Sequence, residues 1–156
     1  MTGNEQRVGF GYDSHRLAPG RPLFLGGVEI PFEAGLLGHS DADVLLHAIG
    51  DALLGAAGAG DLGRHFPDTD PNYKDVSSVL LLEKIRDIIH ERGYAVHNVD
   101  ATVVLERPRL KDQIPAMEEI IGRTLGLKKD SVSVKATTNE GMGFVGRGEG
   151  IAAFSV

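Results

Sequence analysis

The sequence predicts an α/β (α+β) sandwich: one domain over residues 1–156, with a mixed β-sheet and helices packed on one face. Three observations carry this. Short runs of period two alternate with longer stretches of helical periodicity. Two adjacent runs are joined through Gly26-Gly27, a hairpin signal, so the sheet is not wholly parallel. The 156 residues, 42% hydrophobic and 24% charged, suffice for one core and hardly for two.

The elements follow in order. In "RVGFGYDSH", Val8, Phe10 and Tyr12 alternate with Gly9, Gly11, Asp13 and His15, a strand. "PLFLGGVEIP" reads as two short strands around the glycine pair. "HSDADVLLHAIGDALLGAAGAG" aligns Val44, Leu45, Ala48, Ile49, Ala52 and Leu53 in an apolar helical stripe. Ser40 or Asp41 is its expected N-cap, and the glycines from Gly55 onward end it. "DLGRHFPDTDPNYKDVSS" is a long irregular stretch of the kind that carries function or moves. An amphipathic helix, "SSVLLLEKIRDIIHERG", has serine in front and Gly93 behind. Then come a strand in "HNVDATVVLE" and a helix in "IPAMEEIIGRTLG" with Pro115 in its first turn. "DSVSVKATT" is a further strand, and a glycine-rich loop leads to the last, "GIAAFSV".

Composition removes several functions. Net charge is −6 with no basic run, which argues against nucleic acid as a partner. No apolar run approaches the roughly 18 residues of a membrane span. "MTGNEQR" lacks the pattern of a signal peptide, so a cytoplasmic protein is expected. With no cysteine, any metal must be held by His, Asp and Glu. Glycine is abundant, 21 residues against a usual share of about 7%. Its clusters mark tight turns and places where a ligand approaches the backbone.

Asp13 and His15 are two apart on a strand and project to one face. Asp43, His47 and Asp51 follow at i, i+4 and i+8 on one helix face. There His47 can meet a metal while Asp43 or Asp51 orients its ring, or the face is simply solvated and paired. Asp13, His15 and His47 together make a two-His, one-carboxylate set with an open position, suited to catalytic zinc. His39 and Ser40, at a helix start, read as phosphate-facing. His65, His90 and His97 have no partners at metal-like spacing, and the last two read as surface residues. Asp61, Gly63, Asp68 and Asp70 are turn formers or acceptors for a polyol, beside a Phe66-Pro67 wall. Thr137, Thr138 and Glu140 can bind a diphosphate with Mg²⁺, or decorate a glycine-rich hairpin that also carries Arg147 and Glu149.

"GFGYDSHRL", "LGGVEIP", "GLLGHSDADVLLHAIGDALLGAAGAGDLGRHFPDTDP", "NVDATVVLERPRL" and "VKATTNEGMGFVGRGEGIA" lie in this order over nearly the whole chain. In them the sequence resembles the 2-C-methyl-D-erythritol 2,4-cyclodiphosphate synthases of the non-mevalonate isoprenoid pathway, metal-dependent phosphorus–oxygen lyases. The resemblance implies one synthase-like domain over 1–156. It implies Zn²⁺, or another divalent transition metal, on Asp13, His15 and His47, and Mg²⁺ or Mn²⁺ on Glu140. His39, Ser40, Thr137 and Thr138 would contact the diphosphate. Asp61, Gly63, Phe66, Pro67 and Asp68 would match the erythritol phosphate pocket. Leu105, Pro108, Arg109 and Leu110, in "LERPRL", would match the cytidine pocket. Among these, Asp13, His39, Asp61, Thr138 and Glu140 are the expected catalytic set. The family is a homotrimer with active sites between subunits. Phe144 and Arg147 match positions lining a cavity on its threefold axis, a candidate place for an isoprenoid diphosphate. Ala42 stands where the family more often has glycine, which adds a methyl near the helix start and removes no ligand.

The implied reaction converts 4-diphosphocytidyl-2-C-methyl-D-erythritol 2-phosphate to the 2,4-cyclodiphosphate. The 2-phosphate attacks the metal-bound β-phosphate and CMP leaves. Two alternatives remain at this level: a metal-dependent phosphohydrolase, and a non-catalytic nucleotide- or metal-binding module. Product identity separates them.

Overall fold

The computed structural model describes residues 5–156, so the part of the N-terminal reading that falls on residues 1–4 lies outside it. Its strands are β1 (Gly11–Pro19), β2 (Leu23–Leu25), β3 (Val28–Ile30), β4 (Ala34–Leu36), β5 (Val99–Val104), β6 (Val132–Thr137) and β7 (Gly150–Ser155). The helices are α1 (Val44–Ala56), α2 (Leu62–His65), α3 (Ser78–Glu91), α4 (Ile114–Leu125) and α5 (Gly143–Gly146). The main sheet has the order β4-β1-β7-β5-β6, with β5 and β6 parallel and the other pairs antiparallel. β2 and β3 pair separately as the expected hairpin.

Alternation along β1 sorts its residues between two environments. Gly11, Asp13 and His15 stand in register with Ser155, Ala153 and Ile151 of β7. That face lies under α1, and Ala153 and Ile151 are fully buried beneath it. Glycine allows the close approach. A β-carbon at Gly9 would lie 1.9 Å from the Ala52 carbonyl oxygen, and one at Gly11 would lie 1.9 Å from that of Ala48. The apolar partners in the alternation, Val8, Phe10 and Tyr12, point the other way and are exposed. Tyr12 and Phe10 flank Phe154 there, with ring centroids 5.0 and 6.2 Å from it.

α1 is wedged between the sheet and α3, so it buries far more than one stripe: Val44, Leu45, Leu46, Ala48, Ile49, Gly50, Ala52 and Leu54. His47 and Asp51 are left along its one half-buried edge. The N-cap is Asp43, not Ser40 or Asp41. Its carboxylate accepts from Leu46 N at 3.1 Å and reaches back to the amides of Gly26 (3.0 Å) and Gly27 (2.7 Å) in the hairpin. Sequence-local capping rules see only the first of these bonds. Ala42 takes the left-handed φ of 57° that glycine accepts more readily, and its methyl is fully buried. α1 begins at Val44 all the same.

α3 starts at its serine cap, Ser77, as the sequence indicates, and α4 ends in a left-handed Gly126. Four short elements escape the periodicity reading because each is four residues or fewer: β4, α2, α5 and a 3₁₀ turn at Pro71–Tyr73.

Candidate metal centre

Asp13 and His15 arrive on β1 and His47 on α1, joined by the glycine-mediated seam between strand and helix. One oxygen, Asp13 Oδ2, lies 3.0 Å from His15 Nδ1 and 3.1 Å from His47 Nδ1. The three donor atoms all fall within 4.8 Å of one another. His15 Nδ1 is buried and makes no hydrogen bond.

The hydrogen-bond network fixes the His47 tautomer. Ser78 Oγ donates to Asp41 Oδ1, which as a carboxylate oxygen only accepts. With its proton committed there, Ser78 Oγ must accept from His47 Nε2, 3.0 Å away. Ser40 Oγ, which takes the Ala42 amide, lies 3.2 Å from the same nitrogen. Nε2 therefore carries the proton and Nδ1 turns its lone pair on Asp13. The His47 lone pair and the Asp13 oxygen, 3.1 Å apart, repel unless a positive charge sits between them. A proton can serve. Burial opposes charging His47, but the hydrogen bond and charge of Asp13, with the charges of Asp43 and Asp41, raise its pKa overall. Burial likewise opposes the Asp13 carboxylate, yet His15 and His47 beside it hold its pKa down at about 2. A divalent cation serves better, because it takes both nitrogens and the oxygen at once. The donor set fits such an ion.

Neither Asp43 nor Asp51 orients His47, contrary to the expectation from helical spacing. Asp43 is committed to the three amides above, and Asp51 accepts from Leu62 N at 2.8 Å, holding the start of α2. The orienting groups are Ser78, Ser40 and, through Ser78, Asp41. Ser78 lies 31 residues from His47, a distance at which no spacing rule operates.

The remaining predicted residues surround this centre or lie far from it. His39 Nε2 donates to the Asp70 carbonyl at 2.8 Å, tying the 61–77 loop back to the start of α1. His65 Nε2 donates to Ala59 O at 2.8 Å. His90 and His97 are exposed. Asp61 caps α2 through Arg64 N at 3.0 Å, and Asp70 caps a short 3₁₀ turn. Gly63, Phe66, Pro67 and Asp68 lie along the same loop, where Phe66 meets Tyr73 edge-on. Leu105 and Leu110 are buried, while Pro108, after a cis peptide bond, and Arg109 are more open. Thr137, at the end of β6, and Thr138 and Glu140 beyond it are exposed. Phe144 packs near Gly150, and Arg147 pairs with Glu149 at 2.8 Å. β6 stands three strands from β1, about 14 Å at the usual strand spacing. One chain therefore keeps its triad and its Thr138–Glu140 loop apart.

A half-buried three-ligand centre on an α+β layer, flanked by a polar loop, defines the class: a metal-dependent enzyme acting on a polar substrate. The chain belongs to the YgbB family, whose match runs over residues 6–156. It is 62% identical over 147 residues to the 2-C-methyl-D-erythritol 2,4-cyclodiphosphate synthase of Salinibacter ruber, covering 94% of each protein. Among solved structures, the bifunctional IspDF of Campylobacter jejuni superposes with a TM-score of 0.93 at 46% identity, over 97% of this chain and 41% of that one. A 2C-methyl-D-erythritol-2,4-cyclodiphosphate synthase in its CDP-bound form gives 0.88 at 37% identity, over 96% of this chain and 97% of that one. Within the described residues, no helix is long and apolar enough to cross a membrane.

Proposed function

We propose that this chain converts 4-diphosphocytidyl-2-C-methyl-D-erythritol 2-phosphate into 2-C-methyl-D-erythritol 2,4-cyclodiphosphate and CMP. The carrying observation is the Asp13/His15/His47 centre, assembled as a convergent donor set in a chain so close to the synthases. An oxygen of the 2-phosphate attacks the β-phosphorus. A new P–O–P bridge forms, the bond to the oxygen shared with the α-phosphate breaks, and CMP leaves with that oxygen. No water is consumed and no enzyme nucleophile is needed.

Zn²⁺ on the triad and Mg²⁺ or Mn²⁺ at Glu140, when bound, supply positive charge that screens the phosphates and polarises phosphorus. The chain's own work is positioning. Asp13, His15 and His47 fix one end of the diphosphate site, and Thr137, Thr138 and Glu140 the other. His39 and Ser40, at the start of α1, face the phosphates. Asp61, Gly63, Phe66, Pro67 and Asp68 hold the erythritol portion, and Leu105, Pro108, Arg109 and Leu110 receive cytidine. Holding attacking and receiving atoms in line can contribute roughly 7–11 kcal/mol to such an intramolecular step.

The separation of triad and Thr138–Glu140 loop within one chain supports sites completed between subunits of a homotrimer. The exposed aromatic cluster of Phe10, Tyr12 and Phe154, on the sheet face opposite α1, supports assembly through that face. Phe144 and Arg147 would then border a central cavity able to take an isoprenoid diphosphate. A cytoplasmic setting suits this chemistry. Incubation with the substrate, Zn²⁺ and Mg²⁺, followed by phosphorus NMR, tests the reading. CMP with a cyclic diphosphate is expected. CMP with a linear phosphate would make the protein a phosphohydrolase, and no CMP would leave a binding module.

A further inference from the structure

β5 and β6 run parallel and finish side by side, with Val104 beside Thr137. From these ends leave the segment read as the cytidine pocket and the loop carrying Glu140. One side chain joins them. Glu106 Oε1 accepts from the amide of Asn139 at 2.9 Å and from that of Gly141 at 3.3 Å, the two residues flanking Glu140. The Glu140 amide turns instead to Thr138 Oγ1 at 3.3 Å. Glu140 and Gly141 are both left-handed, with φ of 53° and 75°. For Glu140, which has a β-carbon, that conformation is strained and persists only where its surroundings hold it. Side-chain burial does not hold it, since Glu140 and Met142 are exposed; within the turn Met142 N donates to Asn139 O at 2.9 Å, and the Gly141 backbone lies against Gly146.

We propose that Glu106 is a positioning residue. It closes the 139–141 loop around a single oxygen, and so aims the Glu140 carboxylate at the second divalent cation while tying it to the nucleotide segment. The proposal rests on the reading of Glu140 as that cation's ligand. Both amides meet the same oxygen, so the loop requires an acceptor at the right reach rather than a negative charge. Glutamine can supply that acceptor. Aspartate keeps the charge but is one methylene too short.

The test compares Glu106→Gln, Glu106→Asp and Glu106→Ala with wild type in two measurements. The first is the amide proton shifts and exchange rates of Asn139 and Gly141. The second is the Mg²⁺ dependence of CDP binding by calorimetry and of CMP release with zinc supplied. Ala and Asp are expected to move both amides upfield, speed their exchange, and raise the Mg²⁺ requirement about 10- to 100-fold, the usual effect of losing an outer-shell partner. Glutamine is expected to restore wild-type values, with zinc binding unchanged throughout. Wild-type amides or Mg²⁺ dependence in Glu106→Ala would overturn the proposal, as would rescue by Asp but not by Gln. Should wild type release no CMP, the reaction assignment falls, and the amide and CDP measurements still decide the role of Glu106.

Discussion

Gly11 and Ala48 meet backbone to backbone: a β-carbon on Gly11 would sit 1.9 Å from the Ala48 carbonyl oxygen. This contact sets the distance between β1 and α1, and hence between Asp13 and His47. The glycine beside the metal residues leaves room for a helix, not for a ligand.

Gly11→Ala must push strand and helix apart. A destabilisation of about 3 kcal/mol is expected, at the upper end for overpacking, because the obstacle is backbone and cannot rotate away. Zn²⁺ affinity should fall with it. Gly55→Ala is the control. It lies in the same helix, and its β-carbon would meet nothing within 4 Å, so a gain of about 0.5–1 kcal/mol is expected. Urea denaturation of both variants checks the pair.

Asp43 ties the α1 N-terminus to the β2–β3 hairpin while fully buried. Asp43→Ala strands three amides and should cost about 2–4 kcal/mol. Burial, reinforced by the charge of Asp41, pushes the Asp43 carboxyl up from 3.8 to about 6 despite the amides of Gly27, Leu46 and Gly26. With the folded pKa above the unfolded one, the native state binds the extra proton. The associated stability is thus full below about pH 4 and lost as pH rises through about 6. Asn carries no such proton. Asp43→Asn should therefore gain stability relative to wild type from pH 4 to 7, and parallel stability–pH curves would refute the shift.

Much of this was legible in the sequence, for reasons that also mark where legibility stops. The α1, α3 and α4 helices and the longer strands announce themselves by periodicity, and Asp13 and His15 by their i, i+2 spacing. His47 is readable as a candidate, but the groups that orient it are not. Helical spacing nominates Asp43 and Asp51, yet each is drawn off by backbone amides of another segment, Gly26 and Gly27 for one and Leu62 for the other. Ser78 and Asp41 reach His47 only because α3 docks on α1. Glu106 carries no local signal in "LERPRL", because its partners lie 33 and 35 residues on, across a parallel strand pair.

Ser78→Ala removes the acceptor that holds the His47 Nε2 proton in place and leaves Asp41 without its hydroxyl donor. The ring can then adopt the other tautomer, with a proton on the nitrogen that faces Asp13. Zn²⁺ affinity is expected to drop about 10- to 100-fold. Nitrogen-15 shifts of the His47 ring in the metal-free protein should change from a protonated Nε2 to a mixture. An unchanged ring spectrum would sink the tautomer argument.

His47→Ala tests the ligand set without reference to turnover. A metal that binds only the folded protein stabilises it by about 2.7 kcal/mol at a hundredfold excess over its dissociation constant. For a chain of this size that raises the melting midpoint by about 5–10 °C. Wild type with added Zn²⁺ should show this rise. His47→Ala should show none, because Asp13 and His15 alone leave a two-ligand site on one strand. The variant should still fold, since the ring sits at the half-buried edge of α1 while the buried residues around it provide the packing. His90→Ala, an exposed histidine on α3, should retain the full rise and so exclude general histidine scavenging. A full zinc-induced rise in His47→Ala would remove His47 from the metal centre.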